Sequence, residues 1–220
     1  MSKMTVEKIR CPKCRQENDF RMWHSVNITM DKEIKEKILN GEVFHFKCAE
    51  CGYESQVFYP LLYHDMEKKL MIYMLHDDEH QVKEAASFMS GMTDTEEKLD
   101  IRKYSEEYTN RIVTTIHELQ EKIYISDAGY DDRIIEIMKV IFLAMTSEKT
   151  PDQRVDEILF DTDKEKGHSI RFIEKGKCFG SIAVSEKVYN DIKERFGEKI
   201  EKNPDRYFIY DFSWARGIMR

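Results

Sequence analysis

Long apolar runs, prolines and glycines are scarce in this sequence. No stretch approaches the roughly 20 apolar residues that a membrane-spanning helix needs. Four prolines and nine glycines among 220 residues exclude long flexible linkers as a main feature. Residues 1–10 lack the apolar core of a signal peptide. We therefore expect a cytoplasmic protein with no membrane partner, in a reducing compartment that disfavours disulfides.

A surplus of positive charge is also absent. The formal net charge is −7, and the acidity lies in residues 79–148, which hold 8 basic and 15 acidic side chains. Residues 1–78 hold 12 basic against 13 acidic side chains, and residues 149–220 hold 15 against 14. Proteins that bind nucleic acids usually carry a basic patch that contacts the phosphates. We therefore do not expect nucleic acid as a partner.

Four of the five cysteines form two short pairs, Cys11-Pro12-Lys13-Cys14 and Cys48-Ala49-Glu50-Cys51. Two thiolates at this spacing reach one ion, and two such pairs supply the four sulfurs of a tetrahedral zinc site. Gly52 permits the tight turn of a zinc knuckle behind the second pair. A redox role is disfavoured because neither pair opens a helix in a βαβ unit. The pattern therefore predicts zinc bound by Cys11, Cys14, Cys48 and Cys51.

The predicted zinc is structural. Four sulfurs complete the tetrahedral coordination and leave no open position for a substrate. The two pairs are separated by 33 residues, more than the roughly 15–20 residues of familiar zinc ribbons. A strand and a helix fit between them, and the longer loop costs little because closure entropy grows slowly with length.

The hydrophobic periodicity predicts an α+β fold in three parts. Residues 1–78 are expected to form a zinc-ribbon-like antiparallel sheet, residues 79–148 a helical segment packed on it, and residues 149–220 a small α+β unit. The strands predicted in the first part span residues 19–30, 43–47, 55–59, 61–64 and 70–75, with a helix over residues 32–39 that Asp31 caps.

A change of period separates the helical part from the C-terminal part. Apolar residues recur at steps of three and four from Tyr108 to Ile123, which predicts an amphipathic helix. The stretch from Ile134 to Met145 is apolar on most sides and predicts a central helix. The other predicted elements are helices over 79–89 and 185–196 and strands over 155–160, 168–174, 178–184 and 206–212.

Other reactive side chains have simpler explanations than catalysis. Cys178 stands alone and is predicted to pack in a core, although His168 lies across the same hairpin. His76 and His80 are four residues apart, but they fall at a strand end and a helix start rather than on one helix face. No glycine-rich phosphate loop, GxSxG turn or HExxH helix occurs, so we assign no catalytic residue and no cofactor besides zinc. Asp127, Asp131 and Asp132 form an acidic cluster. Three interpretations of it stay open: it caps a helix, it holds an arginine, or it binds a cation.

Two apolar stretches favour an association with another chain. The helix from Ile134 to Met145 and the segment from Phe58 to Tyr63 together expose more apolar surface than one chain of this size readily covers. Two-fold pairing is the commonest way to bury such surface. We expect self-association as a dimer or a protein partner; the alternative is a monomer whose C-terminal unit covers both stretches.

The cysteine pairs and their surroundings resemble the bacterial and archaeal CpXC domain family, which is named for two C-P-x-C-like pairs. The first pair matches that pattern fully, and the second differs by alanine at a position that supplies no ligand. The similarity extends through Phe44 to Tyr53, Tyr59 to Asp65 and the helices that contain Asp131-Asp132-Arg133, about two thirds of the chain. The resemblance implies the zinc site and a bacterial or archaeal cytoplasmic setting, and it carries over no activity and no catalytic residue.

These observations predict a zinc-binding protein with a structural four-cysteine site, acting as a non-catalytic interaction or regulatory module. Two alternatives stay open. One is an enzyme with a pocket between the helices and the C-terminal unit that uses some of Asp127, Asp131, Asp132 and His168. The other is a zinc ribbon that binds nucleic acid, against which the charge distribution argues.

Overall fold

The protein has the α+β build that the periodicity predicts. The computed structural model describes residues 2–90, 107–149, 152–163, 165 and 167–220. Contacts divide the chain into two compact units, Met1–Gln120 and Glu121–Arg220. The three-part division at residues 78 and 148 stays a prediction about which segments unfold separately.

A mixed five-stranded sheet forms the base of the first unit. The strands of this unit are β1 (Lys3–Arg10), β2 (Glu17–Asn27), β3 (His45–Lys47), β4 (Glu54–Gln56), β5 (Leu61–Asp65), β6 (Leu70–Met74) and β7 (Thr109–Val113). The sheet has the order β1-β2-β5-β6-β7, and β3 and β4 form a separate two-stranded ribbon. Antiparallel pairing joins β1 to β2 and β5 to β6, as a ribbon fold predicts. The parallel pairing of β2 with β5 and of β6 with β7 was not predicted.

The helices of the first unit are α1 (Lys32–Leu39), α2 (Glu79–Met89) and α3 (Ile116–Asp127), whose last seven residues belong to the second unit. Two of the three, α1 and α2, follow the predicted bounds. The inner face of α1 buries Ile34 and Ile38. The predicted side-chain cap of α1 is wrong, because the carboxylate of Asp31 accepts a hydrogen bond from the hydroxyl of Ser2 and caps no backbone amide.

Four aromatic side chains pack between the β3–β4 ribbon and the sheet. The ring of Phe20, on β2, lies 6.4 Å from that of Phe46 and 6.0 Å from that of Tyr59. The ring of Phe44 lies 5.4 Å from that of Tyr59, whose hydroxyl donates a hydrogen bond of 2.9 Å to the carbonyl of Val43. Edge-on aromatic pairs of this kind add roughly 0.5–1.5 kcal/mol each to the burial of their area. Strand β2 and the ribbon therefore hold a fixed relation to each other.

The predicted helix from Tyr108 to Ile123 is a strand followed by a helix. Strand β7 pairs with β6 and buries Ile112 and Val113, while α3 begins at Ile116. The start of α3 is a capping box: the amide of Glu118 donates to Thr115 Oγ1 at 3.1 Å, and Glu118 Oε2 accepts from the amide of Thr115 at 3.1 Å. The apolar spacing hid this boundary, although the sequence Thr115-Ile116-His117-Glu118 encodes the cap.

Strand β1 was not predicted either. Its side chains are exposed or half-buried along its whole length, so no apolar alternation marks it in the sequence. It pairs with β2 in antiparallel register, and exposed ion pairs join Lys8 to Asp19 and Arg10 to Glu17 across the two strands.

The second unit packs three helices against a three-stranded antiparallel sheet. Its strands are β8 (Glu157–Asp163), β9 (Gly167–Glu174) and β10 (Lys177–Ala183), in the order β10-β9-β8, and its helices are α4 (Asp132–Lys149), α5 (Glu186–Lys202) and α6 (Phe212–Ile218). The predicted hairpin turns at Lys175 and Gly176, both with positive φ. Ser185 caps α5 by accepting from the amide of Val188 at 3.3 Å, as predicted.

Helix α4 is the apolar centre of the second unit. Ile135, Ile137 and Met138 are fully buried and pack in one cluster with Phe160 and Ile170 of the sheet. The apolar stretch of α4 that suggested a partner is therefore largely covered inside this unit, and Tyr59, Leu61 and Tyr63 of the other stretch are buried in the first unit. Neither α4 nor any other described helix is both long and apolar enough to cross a membrane.

The strand predicted over residues 206–212 is wrong. Asp205 Oδ1 accepts hydrogen bonds from the amides of Tyr207 at 2.8 Å and Ile209 at 3.1 Å, which folds the chain into a turn. Phe208 takes a left-handed φ of 58°. Helix α6 then starts at Phe212 with Asp211 as its cap. An aspartate that binds its own following backbone competes with strand formation.

Five buried charged side chains join α3, α4 and the sheet of the second unit. Lys122 Nζ lies 2.9 Å from Asp132 Oδ2 and 3.1 Å from Glu136 Oε1, and it donates to the carbonyl of Tyr210 at 2.6 Å. Lys139 Nζ lies 2.7 Å from Glu121 Oε2 and 2.9 Å from the same Glu136 oxygen.

This network is complete but has one carboxylate more than it has lysines. Glu121 also accepts a hydrogen bond from the backbone amide of Phe160. Burial raises the pKa of Glu121, although Lys139 acts to lower it. Burial acts to lower the pKa of Lys122, but Asp132 and Glu136 raise it. Both lysines therefore stay charged and depend on their carboxylate partners.

Glu136→Gln should destabilise the second unit by about 1–3 kcal/mol, because it weakens the hydrogen bonds that Glu136 Oε1 accepts from both Lys122 and Lys139, while each lysine keeps one other carboxylate. The matched control is Glu198→Gln, which removes an exposed charge paired with Lys202 on α5 and should change stability by less than about 1 kcal/mol. Urea unfolding measures both. Equal free energies of unfolding for Glu136→Gln and the wild type would contradict the account of the network.

Candidate metal centre

The first cysteine pair lies in the tight turn that joins β1 to β2. The amide of Cys11 donates to the carbonyl of Gln16 at 2.9 Å, and the amide of Arg15 donates back to the carbonyl of Cys11 at 2.9 Å. Arg15 completes the turn with a left-handed φ of 63°. The chain thereby folds back around the sulfur of Cys11.

The second pair repeats this turn between β3 and β4. The amide of Cys48 donates to the carbonyl of Tyr53 at 2.8 Å, and the amide of Gly52 donates to the carbonyl of Cys48 at 3.0 Å. Gly52 has a φ of 66° and stands where Arg15 stands in the first turn. The predicted role of Gly52 is confirmed, and the two turns are equivalent knuckles that each follow a strand and precede another.

The two knuckles bring all four sulfurs together. The Sγ atoms of Cys11, Cys14, Cys48 and Cys51 lie within 4.8 Å of one another. The short contacts cross between the pairs, with 3.6 Å from Cys11 to Cys51 and 3.5 Å from Cys14 to Cys48. Sulfurs held 2.3 Å from a common centre in a tetrahedron lie about 3.8 Å apart, whereas a disulfide needs about 2.0 Å. The spacing fits four ligands of one ion.

Burial and hydrogen bonding differ among the four thiols. Cys11 and Cys48 are buried, whereas Cys14 and Cys51 are half-buried. Burial acts to raise the pKa of Cys11, but the amide of Cys14 and the neighbouring thiols hold it below its ordinary value. The amide of Cys51 likewise lowers the pKa of Cys48 against the effect of burial. At Cys14 the amide of Gln16 acts to lower the pKa, but burial and the other sulfurs raise it.

The pKa values of these thiols are shifted in opposite directions, lowered at Cys11 and Cys48 and raised at Cys14, as expected of a thiol cluster that a cation would stabilise. Adjacent thiols that share a few backbone donors cannot all ionise, because each new thiolate raises the pKa of the others. A divalent ion removes that repulsion and stabilises all four thiolates. Soft sulfur ligands in tetrahedral array select zinc or iron–sulfur chemistry over calcium or magnesium. The donor set therefore fits a thiophilic ion.

Polar side chains lie on the strands next to the two knuckles, and one of them reaches a cysteine sulfur. Across the ribbon, Glu54 contacts Lys47 at 2.7 Å and His45 at 3.4 Å. The side-chain amide of Asn18, on β2, lies 3.6 Å from Cys48 Sγ and accepts from the amide of Ala49 at 3.0 Å. Asn18 was not predicted, since no spacing rule relates it to the second cysteine pair.

The other candidate residues do not form such a centre. Within the described residues, the four cysteines are the one group of three or more potential ligands. Cys178 is exposed, so its predicted core packing is wrong, and it lies opposite Ile173 rather than near His168. His168 contacts Thr162 Oγ1 at 3.1 Å, and His80 lies 3.5 Å from Glu84.

The acidic cluster is engaged by basic side chains. Asp131 holds Arg133 at 2.8 Å, and Arg133 also contacts Glu201 at 2.8 Å. Asp132 contacts the buried Lys122 at 2.9 Å. Of the three interpretations of the cluster, these contacts agree with the one in which it holds an arginine.

Comparison with known proteins bears on the first two thirds of the chain. No curated protein and no solved structure matches it. The family model described as "CpXC protein" matches residues 9–139, more than half of the chain, and this span contains both knuckles. The resemblance inferred from the cysteine pairs is thus confirmed, and the chain belongs to the CpXC family.

Proposed function

We propose that this protein binds one zinc ion through Cys11, Cys14, Cys48 and Cys51, that the zinc is structural, and that the protein is a cytoplasmic, non-catalytic interaction or regulatory module. The observation that carries the proposal is the convergence of four free sulfurs from two equivalent knuckles. Zinc suits a complete tetrahedral sulfur set that needs no redox change.

A structural role follows from the completeness of the sulfur set. With four protein ligands, zinc keeps no position for water or substrate. The two knuckles belong to separate hairpins, β1–β2 and β3–β4. An ion held by both ties the ribbon to the sheet, in addition to the aromatic contacts around Phe20.

Purified wild-type protein should contain one zinc ion per chain, and Cys48→Ser should lose it, because a hydroxyl is a poor replacement for a buried thiolate ligand. Cys178→Ser is the matched control, since Cys178 is exposed and stands apart from the cluster. Elemental analysis of the three proteins decides. Wild-type protein without zinc, or Cys48→Ser with full zinc, would contradict the proposal.

Removing the metal should release protection from hydrogen exchange in the knuckles and in β3 and β4, while α4 and α5 stay protected. In isolated zinc fingers, metal binding supplies about 10–16 kcal/mol of folding free energy, and the ribbon has little core of its own.

The same experiment tests the domain boundary. A boundary at residue 78 predicts that helix α2 stays protected after chelation, whereas unfolding of the whole first unit exposes α2 together with β6. Uniform loss of protection along the chain would contradict both divisions and would indicate one cooperative domain.

We further propose that the partner is a second copy of this chain, paired along the outer edge of β1. Among the described residues, no strand pairs with β1 on that side, and Met4 and Val6 on β1 are exposed apolar side chains. An unpaired edge presents backbone donors and acceptors to another strand.

The sequence of β1 is complementary to itself. In antiparallel pairing about a two-fold axis at Thr5, Met4 of each copy lies opposite Val6 of the other, and Lys3 lies opposite Glu7. Apolar and opposite-charge cross-strand pairs each contribute roughly 0.2–1 kcal/mol, and symmetry doubles every pair.

Val6→Lys should weaken dimerisation at least about tenfold, since it places a charge opposite Met4 twice per dimer; tenfold corresponds to about 1.4 kcal/mol. Met145→Lys, on the exposed side of α4, should leave the dimer intact. Sedimentation over a range of concentrations measures both. A monomer mass for the wild type at every concentration, or loss of the dimer in Met145→Lys alone, would contradict pairing through β1.

A further inference from the structure

One side-chain amide connects the two knuckles. Asn18 Oδ1 accepts a hydrogen bond of 3.0 Å from the backbone amide of Ala49, in the second knuckle. Asn18 Nδ2 donates to the carbonyl of Gln16 at 3.0 Å, at the end of the first knuckle, and lies 3.6 Å from Cys48 Sγ. All three polar atoms around Asn18 therefore belong to the metal-binding turns.

The orientation of this amide is determined by its partners. The Ala49 amide offers a hydrogen, whereas the Gln16 carbonyl and the Cys48 sulfur accept hydrogens. Rotating the amide by 180° would set its NH₂ group against the Ala49 donor and its oxygen against two acceptors. The arrangement in the structure is the one that satisfies every group.

Each contact of Asn18 has a consequence for the centre. The carbonyl of Gln16 also accepts a hydrogen bond from the amide of Cys11, the bond that closes the first knuckle. Asn18 therefore donates to the same oxygen atom that closes this turn. Its bond to Ala49 fixes the second knuckle next to Cys48. The N–H group of Asn18 donates toward Cys48 Sγ, and a donor in this position stabilises negative charge on the sulfur.

We propose that Asn18 is a positioning residue of the four-cysteine centre: it sets one knuckle against the other and stabilises the negative charge on Cys48 Sγ. The inference rests on the proposed zinc site. Hydrogen-bonded groups behind metal ligands typically change metal affinity by about 10- to 100-fold.

Three variants and the wild type test this role. Asn18→Ala removes all three contacts, with the Ala49 amide, the Gln16 carbonyl and Cys48 Sγ. Asn18→Asp has the same size and keeps the acceptor for Ala49, but it places an oxygen against Cys48 Sγ and the Gln16 carbonyl. Asn40→Ala is the control: Asn40 also binds a backbone amide in the same unit, that of Glu42 at 2.9 Å, in the segment between α1 and β3.

Zinc affinity, measured by competition with a chromophoric chelator, should fall about 10- to 100-fold in Asn18→Ala and further in Asn18→Asp, and should stay near the wild-type value in Asn40→Ala. With Co²⁺ in place of zinc, the thiolate-to-metal charge-transfer band should move to longer wavelength in both Asn18 variants, because a thiolate that has lost an N–H donor gives up its electrons more easily.

Two results would overturn the inference while leaving the zinc site in place. The first is wild-type zinc affinity and an unshifted band in Asn18→Asp, which keeps the size of the side chain and so the packing of the turn. The second is an equal loss of affinity in Asn40→Ala, which would reduce the effect to general destabilisation. A wild-type protein that binds no zinc would instead refute the proposed function itself.

Discussion

The convergence of four cysteine sulfurs on one point is the constraint on which the first unit depends. Cys11, Cys14, Cys48 and Cys51 lie within the reach of one ion, and in the absence of a cation they cannot all ionise together. The fold nevertheless brings them together from two hairpins, and it uses aromatic packing around Phe20 to do so. A fold that brings four thiols together in this way is suited to recover free energy when a metal binds.

The second unit also concentrates groups that can carry negative charge, and it compensates them with lysine side chains. Its centre holds three carboxylates and two lysines that are all buried, and each lysine contacts more than one carboxylate. Here two lysine ammonium groups compensate the charge of the buried carboxylates. Buried charges with complete partners are specific in geometry but intolerant of losing one member, which makes α3 and α4 a fixed pair within this unit.

The sequence predicted those elements whose apolar side chains recur with one clear period. The hairpin of β5 and β6 is one example, since each strand buries one face. Helix α1 is predicted from Asp31 and Asn40-Gly41 at its ends, and α2 lies in a polar stretch with only a weak pattern. The spacing predicts a helix where β7 lies, because Ile112 also fits a stripe of period three to four. Strand β1 left no signal because neither of its faces is buried. The side chains of Asp205 and Thr115 accept hydrogen bonds from nearby backbone amides. At these two places the local hydrogen bonds determine the structure, and the hydrophobic periodicity does not predict it.

The cysteine cluster was easier to predict than its surroundings. Cysteine spacing identifies its four members, since two CxxC pairs have few other uses in one chain, and the glycine behind the second pair indicates the turn. Arg15, which takes the same left-handed conformation as Gly52, shows that the turn does not depend on glycine. Asn18 lies 30 residues from Cys48 in sequence, and only the folded chain places its amide against that sulfur.

X-ray absorption at the zinc edge of the purified protein tests the central claim most directly, because it counts the atoms bound to the metal without altering the chain. The account predicts four sulfur neighbours at about 2.3 Å and no nitrogen or oxygen neighbour. A mixed shell that contains nitrogen or oxygen, or fewer than four sulfurs, would contradict a closed four-cysteine centre and would restore the open position that a catalytic zinc requires.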